Sequence, residues 1–541
     1  MKENSVSFQA YLSAGIRPTA DYVMQNPALL SAMDARVSPY GLLQPNKVEN
    51  PFATEPKEAS YPWPQLLRGR PYHILAYEDA LYRVDSTWNS FGESSDFLNW
   101  SQAQIQAMDM TDESIPLELP TGTDEPWHFA DFGASWFLFK PDVTVFKANL
   151  SGWRAEGDDP IRAQTRVTIG TGCAHKGRLI TAGFDKDNVF DSAAWLTLWN
   201  QYYGESPEVN PIATLPNQID KNYVMWSTIG GGDTLALFYP EMFIEGSRSL
   251  YPDYIPGVLD EPLYLQFLKR NEMGWMPMES DGEVYKVMSL GEDVAVYTED
   301  AVYLLIQSGI TFGLRKMLNV GVLSRSAVGG TQNVHTFIDV EGGLWRWTAG
   351  GDPVCLGFKQ MFNAANVYYQ PVCVSVDERN NDTYINTSTF CGLLSPSGMS
   401  TLAKTAPRFS EGFYQDGSMM MVGEDTTVDD GANIYFATQK NDLQRAGSKK
   451  VTLVEVVGHF PSDAVFTLSV QSEAIDGSIL VKVITQEGST LFRVDLAGMN
   501  FIFILQVAIV DKTVDYNITN LLVTYQADDN RFVRGTYVRT A

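Results

Sequence analysis

The sequence predicts a mainly β protein, and two observations support that prediction. Apolar and polar residues alternate with a period of two over many short segments, which Gly, Asp and Asn turns separate. The chain also holds 12 Trp, 25 Tyr and 28 Phe, and aromatic side chains pack well on pleated sheets. A length of 541 residues exceeds what a single core normally supports, so we expect two to four structural units.

The first 66 residues differ from the rest and are predicted to form an N-terminal arm or docking segment, 1–66. Residues 20–36 are interpreted as one or two short helices, broken near Pro27. Residues 38–64 are dense in Pro and Asn, which is typical of an extended arm or of a loop lying over a neighbour. The N-terminus lacks a basic region followed by an apolar run, so we expect no secretion signal.

Paired short strands begin at about residue 67. Four segments alternate on both sides of a central turn, and they are Pro71–Asp85, His128–Phe139, Val294–Ile306 and Val334–Trp347. This pattern is typical of β-hairpins, and residues 283–306 are predicted to form three consecutive strands. Recurring meanders with uneven spacing predict a β-propeller with insertions over 67–445, and a series of β-sandwiches is the alternative.

Irregular segments interrupt the predicted propeller. Residues 190–203 are interpreted as a short helix or an irregular insertion, and residues 375–445 are rich in loop sequences. Six alternating segments from Val451 onward predict an antiparallel β-domain over 446–541. The complete fold prediction is therefore a β-propeller with inserted and appended antiparallel β-domains and a short helical N-terminal arm.

The net charge of −26 argues against specific DNA binding by the whole surface, because duplex affinity comes from Lys and Arg that neutralise phosphates. The same acidity is compatible with a wall past which DNA slides without sticking, and simple solubility explains it equally well. The most apolar stretch, 499–510, is too short to span a bilayer. Four cysteines without a CxxC spacing are expected to stay reduced and mostly buried, which indicates a soluble protein from a reducing compartment.

Metal and phosphate sites have weak sequence support. Gly230–Asp233 lacks the following helix that a phosphate-binding loop needs, so we expect a turn. The five histidines are far apart in sequence, and they are His73, His128, His175, His335 and His459. Cys173 and His175 supply two ligands on one strand face, which is too few for a zinc site. The acidic segments 184–191 and 377–382 lack calcium-loop spacing, and we expect solvated loops there.

Enzymatic motifs are equally weak. Glycosidase propellers carry paired carboxylates and often the pattern Ser-x-Asp-x-Gly-x-x-Trp, which residues 85–94 and 278–287 match only in fragments. One kelch-like stretch covers 329–347, and a kelch protein needs several copies. We expect Trp345 and Trp347 to pack between blades. The sequence thus predicts no catalytic, cofactor-binding or metal-binding residues.

Three parts of the chain resemble one family of viral proteins. The matching segments are 38–52 followed by 69–85, then 173–184 followed by 225–240, and finally 294–306 followed by 319–347. Together they are similar to the tail nozzle proteins of short-tailed bacteriophages, also called tail tubular protein B, and to the related DNA-stabilisation or plug proteins. The resemblance spans roughly residues 40–360 and, more loosely, the C-terminal strands.

This resemblance implies a homohexameric structural protein in the virion tail, made in the host bacterial cytoplasm. It implies a ring that retains packaged DNA, forms the channel for DNA ejection, and contacts adaptor or portal-side proteins and tail fibres. An acidic lumen past which DNA moves without sequence-specific binding is a further hypothesis, with 417–432 as one candidate gate loop. The alternatives are another head-to-tail or tail-hub component such as a stopper, a glycan-binding or glycan-cleaving propeller, and a kelch-like interaction module.

Overall fold

The fold is described from a computed structural model of the chain. The described residues are 3–16, 29–38, 43–45, 65–67, 73–76, 81–84, 98–100, 125–132, 135–141, 146–149, 152–155, 169–184, 221–227, 229, 274–309, 311–364, 372–377, 381–387, 391–402, 409–410, 433–445, 447–474, 476–509 and 516–527.

Short strands make up nearly all of the regular structure. The N-terminal elements are β1 (Glu3–Ser7), α1 (Gln9–Ala14), β2 (Leu29–Met33), β3 (Ala35–Val37) and β4 (Leu43–Pro45). The central strands up to residue 226 are β5 (Gln65–Leu67), β6 (His73–Ala76), β7 (Leu81–Val84), β8 (Leu98–Trp100), β9 (His128–Asp131), β10 (Ser135–Phe139), β11 (Phe146–Asn149), β12 (Gly152–Ala155), β13 (Ile169–His175), β14 (Arg178–Phe184) and β15 (Tyr223–Trp226).

The remaining elements, up to residue 527, are also mostly strands. The central ones are β16 (Gly274–Pro277), β17 (Val284–Leu290), β18 (Asp293–Thr298), β19 (Val302–Ser308), β20 (Thr311–Leu318), β21 (Val328–Gly330), β22 (Val334–Ile338), β23 (Leu344–Thr348), β24 (Val354–Gly357), α2 (Lys359–Ala364), β25 (Cys373–Asp377), β26 (Asp382–Asn386), β27 (Cys391–Leu394), β28 (Met399–Leu402) and β29 (Phe409–Ser410). The C-terminal strands are β30 (Ile434–Thr438), β31 (Lys449–His459), β32 (Val465–Glu473), β33 (Ile479–Glu487), β34 (Leu491–Gly498), β35 (Asn500–Ala508) and β36 (Asn517–Ala527).

Six four-stranded antiparallel meanders form a β-propeller in the described part of the chain. Blades 1 to 6 are β5–β8, β9–β12, β13–β16, β17–β20, β21–β24 and β25–β28. The first strands of neighbouring blades lie against each other, as β9 with β13, β13 with β17 and β21 with β25 show. The short strand β29 contacts β25 and pairs in parallel with β5, which links blade 6 to blade 1. The first strand is therefore innermost in blades 2 to 6, and in blade 1 β29 lies inside β5.

Buried apolar clusters fill the spaces between neighbouring blades. One cluster combines Val224 of blade 3 with Val294 of blade 4. A second joins blades 4 and 5 through Tyr297 and Trp347, whose rings meet edge to face at 6.3 Å. A third joins blades 5 and 6 through Ile338 and Ile385. Burial on both sides of these strands explains their continuous apolar runs, because each blade has another blade on each face.

The two ends of the chain form a sandwich beside the propeller. Its first sheet has the order β3-β4-β36-β31-β34, with β1 also paired to β36. Its second sheet, β2-β30-β35-β32-β33, continues from blade 6 because β28 pairs in parallel with β2. Phe8, Phe436, Phe503 and Leu521 are fully buried between the two sheets. One nine-stranded sheet thus joins the propeller to the sandwich.

The predicted mainly β propeller fold is confirmed, and so are its four hairpins. In the four hairpins, Ala76 lies opposite Leu81, His128 opposite Phe139, Tyr297 opposite Val302, and Ile338 opposite Leu344. The three strands predicted over 283–306 are β17 to β19, and the six C-terminal segments are β31 to β36. The insertion at 190–203 lies outside the described residues.

One interpretation of local structure is wrong. The helix expected over 20–36 does not extend over 29–37, which forms β2 and β3, while 17–28 lies outside the described residues. Buried residues here follow a helix-like spacing because the pairing of β2 with β30 shifts register between Leu29 and Ser31, and because Asp34, with φ of 55°, interrupts the strands. The segment 375–445, interpreted as rich in loops, also contains the short strands β26 to β30 and most of β25, and its remaining parts lie largely outside the described residues.

Strand pairing also runs across the boundaries predicted for the domains 1–66, 67–445 and 446–541. The N-terminal β1 pairs with β36 in register from Glu3 with Gln526 to Ser7 with Leu522. The strand β30 pairs with β35 of the C-terminal region. No helix in the described ranges has the length and apolar character needed to cross a bilayer.

Candidate functional site

Polar contacts link the innermost strands of four consecutive blades. His128 Nδ1 of β9 lies 2.7 Å from Thr171 Oγ1 of β13, and the Val287 N–H of β17 donates to that hydroxyl at 3.3 Å. Lys286 Nζ of β17 donates to the Val328 carbonyl of β21 at 2.8 Å. We call His128, Thr171 and Lys286 the inner belt. Because its contacts run between blades, the inner belt fixes their relative positions at the propeller centre.

The imidazole of His128 in the inner belt is neutral. His128 is only 6% exposed, and burial, reinforced by the charges of Lys286 and Arg325, holds its pKa well below the usual range. A neutral imidazole can donate from one nitrogen and accept at the other. His128 therefore links two blades by hydrogen bonding and contributes no charge at neutral pH.

Arg325 spans three blades at one end of the centre. It lies in the turn Arg325–Ala327 that leads into β21, and its side chain is 5% exposed. The Nη1 atom donates to the carbonyls of Val284 and Tyr285, at 3.4 and 3.2 Å, and Nη2 contacts the Glu283 carboxylate. The guanidinium also lies over the Tyr285 ring, 5.4 Å from its centroid. A loop of blade 5 is thereby tied to blade 4.

Two glycines of blade 3 make room for this guanidinium. A Cβ on Gly170 would lie 2.8 Å from Arg325 Nη1, and a Cβ on Gly183 would lie 3.2 Å from the same atom. Gly183 also has a φ of 70°, which favours glycine. The side chain of Arg325 can therefore reach across blade 4 to the inner strands of blade 3.

Acidic groups surround Arg325. Glu125, which precedes β9, has a carboxylate oxygen 3.9 Å from Arg325 Nε. Burial raises the pKa of Tyr285 to about 12, and the charges of Glu299 and Glu283 add to the increase. Arg325 is thus a buried cation with the carboxylates of Glu283 and Glu125 beside it, and removal of the guanidinium would leave these contacts unmade.

His335 forms a second buried polar link, between blades 4 and 5. Its Nδ1 lies 2.8 Å from the Tyr297 hydroxyl, and its Nε2 lies 3.1 Å from the Ser289 carbonyl. Since a carbonyl only accepts, Nε2 carries the proton and Nδ1 accepts from Tyr297. Burial lowers the pKa of His335 to about 3, so the imidazole is neutral.

We expect His335 to make the protein sensitive to acid. Its folded-state pKa lies below the unfolded value near 6.5, so its contribution to stability is lost as pH falls below 6.5. At pH 3–4 the loss reaches on the order of 4 kcal/mol, since one pKa unit corresponds to about 1.4 kcal/mol. Urea unfolding from pH 7 to pH 4 should show a shallower pH dependence in His335→Gln than in the wild type. The exposed His459→Gln is the control, and an unchanged slope in His335→Gln would contradict this role.

A buried carboxylate joins the propeller to the sandwich. Asp382 of β26 is 1% exposed and contacts Arg36 of β3 through the guanidinium Nε. Burial raises the pKa of Asp382 to about 6 against the opposing effect of Arg36, and the neighbouring Asp377 adds to the increase. The expectation of a solvated loop is therefore wrong for Asp377 and Asp382, which are both buried at the end of the β25–β26 hairpin.

Asp382 should affect stability in the opposite direction to His335. The folded-state pKa of Asp382 lies above the unfolded value. Its contribution to folding stability is therefore fully present below pH 3.8 and is lost as pH rises through 6. When pH is lowered from 7 to 4, we expect the free energy of unfolding of the wild type to rise by about 2–3 kcal/mol relative to that of Asp382→Asn. Paired urea titrations at both pH values measure this difference. Asp352→Asn, at an exposed carboxylate, is the control, and parallel pH profiles for wild type and Asp382→Asn would refute the assignment.

The side chains of Cys173 and His175, considered above as two possible zinc ligands, have other roles in the structure. Burial raises the pKa of Cys173 to about 12, so its thiol stays protonated. His175 Nδ1 lies 2.7 Å from Ser289 Oγ and Nε2 lies 3.1 Å from the Glu292 carbonyl. Among the described residues no group of three or more His, Cys, Asp or Glu is placed to hold a metal ion.

Other suggested segments have mixed outcomes. Trp347 is fully buried between blades, as predicted, and Trp345 stacks on Phe337 at 6.1 Å and donates its indole N–H to Asp339 at 2.6 Å. The segments 185–191, 230–233 and 417–432 lie outside the described residues. The sequence does not predict the role of Arg325, because its hydrogen-bond partners are 40 or more positions away and no local pattern marks this residue.

The sandwich presents a second candidate surface, at β33. This strand ends the nine-stranded sheet, and it is paired over its full length with β32. Its apolar side chains are largely exposed, with relative exposures of 67% for Ile479, 57% for Val481 and 60% for Val483. Exposed apolar edge strands are uncommon in monomers because they pair readily with other chains.

Comparisons with known proteins give fold-level similarity only. No family model and no curated protein matches the chain. Among solved structures, YCF48 bound to D1 peptide is 9% identical, covering 71% of this chain and 93% of that chain with a TM-score of 0.28. The Neurospora crassa Pan2 WD40 domain is 7% identical, covering 72% and 90%, with a TM-score of 0.32.

An exo-beta-1,3-galactanase from Phanerochaete chrysosporium is similar to the same degree. It is 8% identical, covering 73% of this chain and 95% of that chain, with a TM-score of 0.27. Similarities this distant carry no information about substrate, partner or activity. The propeller assignment accordingly rests on the strand pairing itself.

Proposed function

We propose that this chain is a structural subunit of a short-tailed bacteriophage tail, of the nozzle type, rather than an enzyme. The observation that carries the proposal is the single nine-stranded sheet that runs from blade 6 into the sandwich. A continuous sheet couples the two parts through backbone hydrogen bonds, so the subunit behaves as one stiff body. Stiffness of this kind suits a ring that resists the pressure of packaged DNA.

The polar links within the propeller support the same proposal. Arg325 ties together loops and strands of three blades, and the inner belt joins four. His128 and His335 are neutral and engaged in hydrogen bonds between blades. These buried groups serve the geometry of the propeller, in line with a mechanical role.

The acidic composition gives the proposed ring a further property. A net charge of −26 per copy disfavours phosphate binding, which requires Lys and Arg at the DNA backbone. We propose that DNA passes the ring without forming lasting contacts. Adaptor or portal-side proteins and tail fibres are the neighbours expected for such a ring.

Deletion of the coding sequence from the phage genome tests this function. We expect particles that cannot retain or deliver their DNA, with infectivity restored by the wild-type chain supplied from a plasmid. A matched complementation with Gly313→Ala, at a position where a methyl group meets no close neighbour, should restore infectivity equally. Fully infectious, DNA-filled particles without the chain would contradict the proposal.

A further inference from the structure

We propose that β33 is the surface at which a second copy of this chain joins, by adding a strand to the free edge of the nine-stranded sheet. This inference rests on the proposed function in supposing that the chain works as an assembly. It goes further by assigning one strand and one type of contact, which is backbone pairing combined with apolar packing.

The backbone of β33 is available on one side. Its nine residues pair with β32 from Glu487 opposite Val465 to Ile479 opposite Glu473. No other described strand pairs with it, so its second edge presents N–H and C=O groups along about 30 Å. An edge of this length can accept a complete additional strand.

The side chains of β33 are those of a covered strand. Ile479, Val481 and Val483 project from one face and Leu480, 49% exposed, from the other. Apolar residues on both faces are typical of a strand buried on both faces. Proteins usually protect such edges with charges or Pro on the strand. The only Lys of this strand, Lys482, has its Nζ bonded to the Val494 carbonyl of β34 at 2.5 Å, which leaves the Val481 face unprotected.

Charge favours a second copy as the occupant. The strand β33 carries one cation, Lys482, and one carboxylate, Glu487 at its end, and is therefore neutral, whereas the whole chain has 65 acidic residues and a net charge of −26. Contacts between other parts of two copies would bring carboxylates together and be repulsive. The apolar and neutral β33 edge allows an acidic copy to approach with less of that repulsion.

A pair of single-lysine variants tests the proposal in the full chain. Val481→Lys places a cation on the exposed face of β33, and Gln506→Lys places the same charge at an exposed position of β35, two strands away. Both sites are solvent-exposed, so both variants should fold, which circular dichroism will verify. We expect sedimentation equilibrium to show association of the wild type, weakened at least about tenfold by Val481→Lys and less than about threefold by Gln506→Lys.

Three outcomes would overturn the proposal. They are a wild-type chain that is monomeric at every concentration, equal association of Val481→Lys and wild type, and a monomeric chain in which Val481→Lys abolishes binding to a different virion protein. Hydrogen exchange provides a second measurement, since the β33 amides should gain protection as the wild type associates. Complementation of the phage deletion separates the two claims. If the deletion abolishes infectivity but Val481→Lys restores it fully, the nozzle function stands and the β33 contact fails.

Discussion

Gly321→Ala is expected to destabilise the propeller by about 4 kcal/mol or more. Gly321 lies between β20 and β21, where its carbonyl accepts from the Val340 N–H at 3.1 Å and the following Val322 N–H donates to the Thr298 carbonyl at 3.0 Å. A Cβ at this position would lie 1.9 Å from the Glu299 carbonyl oxygen. Because the obstacle is backbone, a turn of blade 4 would have to move away from blade 5.

Thermal and urea unfolding of Gly321→Ala, followed by circular dichroism, measure this effect. Gly313→Ala is the matched control because its Cβ would lie 4.0 Å from the nearest atom, the Ile306 carbonyl oxygen. We expect the control to change stability by less than about 1 kcal/mol. Similar unfolding of the two variants would show that blades 4 and 5 are not packed as closely as described.

Arg325→Met is expected to lower the free energy of unfolding by about 3–5 kcal/mol, as measured by urea unfolding. The substitution keeps an unbranched side chain but removes the donors to the carbonyls of Val284 and Tyr285 and leaves the Glu283 carboxylate without its guanidinium contact. Arg325→Lys should recover less than half of the loss, because an ammonium group cannot reproduce the planar array of donors.

The control for Arg325 is a surface arginine with a similar partner. Arg315 lies 3.5 Å from Asp352, and the two side chains are 59% and 75% exposed. Water screens such pairs, so Arg315→Met should cost less than about 1 kcal/mol. If Arg325→Met proved as mild as Arg315→Met, the role of Arg325 as a link between three blades would be refuted.

The sequence predicts elements well where burial is one-sided. The strand β32 alternates between buried and half-exposed residues over its whole length, and such strands leave a clear period-two pattern. The hairpin at Glu299–Asp300 is equally clear, because polar turn residues separate two apolar strands. Strands between blades are buried along their whole length, as β14 shows, so they have no period-two pattern and are recognisable chiefly through their turns.

Long-range pairing is what the sequence does not reveal. Ser5 pairs with Thr524, and no local pattern connects residues that are 519 positions apart. The N-terminal segment therefore resembles an arm, although in the structure its strands complete the C-terminal sandwich. The register shift near Leu29 and the interruption at Asp34 further hide β2 and β3, since their buried positions follow a helical spacing.

The candidate sites were only partly predictable for the same reason. His128 and His335 are visible as isolated histidines, but their neutral state depends on burial between blades. The free edge of β33 cannot be recognised before the sheet order is known. Its apolar character is visible in the sequence, where Ile479 to Val483 contain a single charged residue.

A cryo-EM reconstruction of the phage particle proposed to contain this chain tests the central claim most directly. We expect a sixfold ring at the distal or plugging end of the tail, into which the propeller and sandwich fit as one body with β33 at a contact between copies. The absence of the chain from the particle, or its presence as an isolated peripheral copy, would contradict the account.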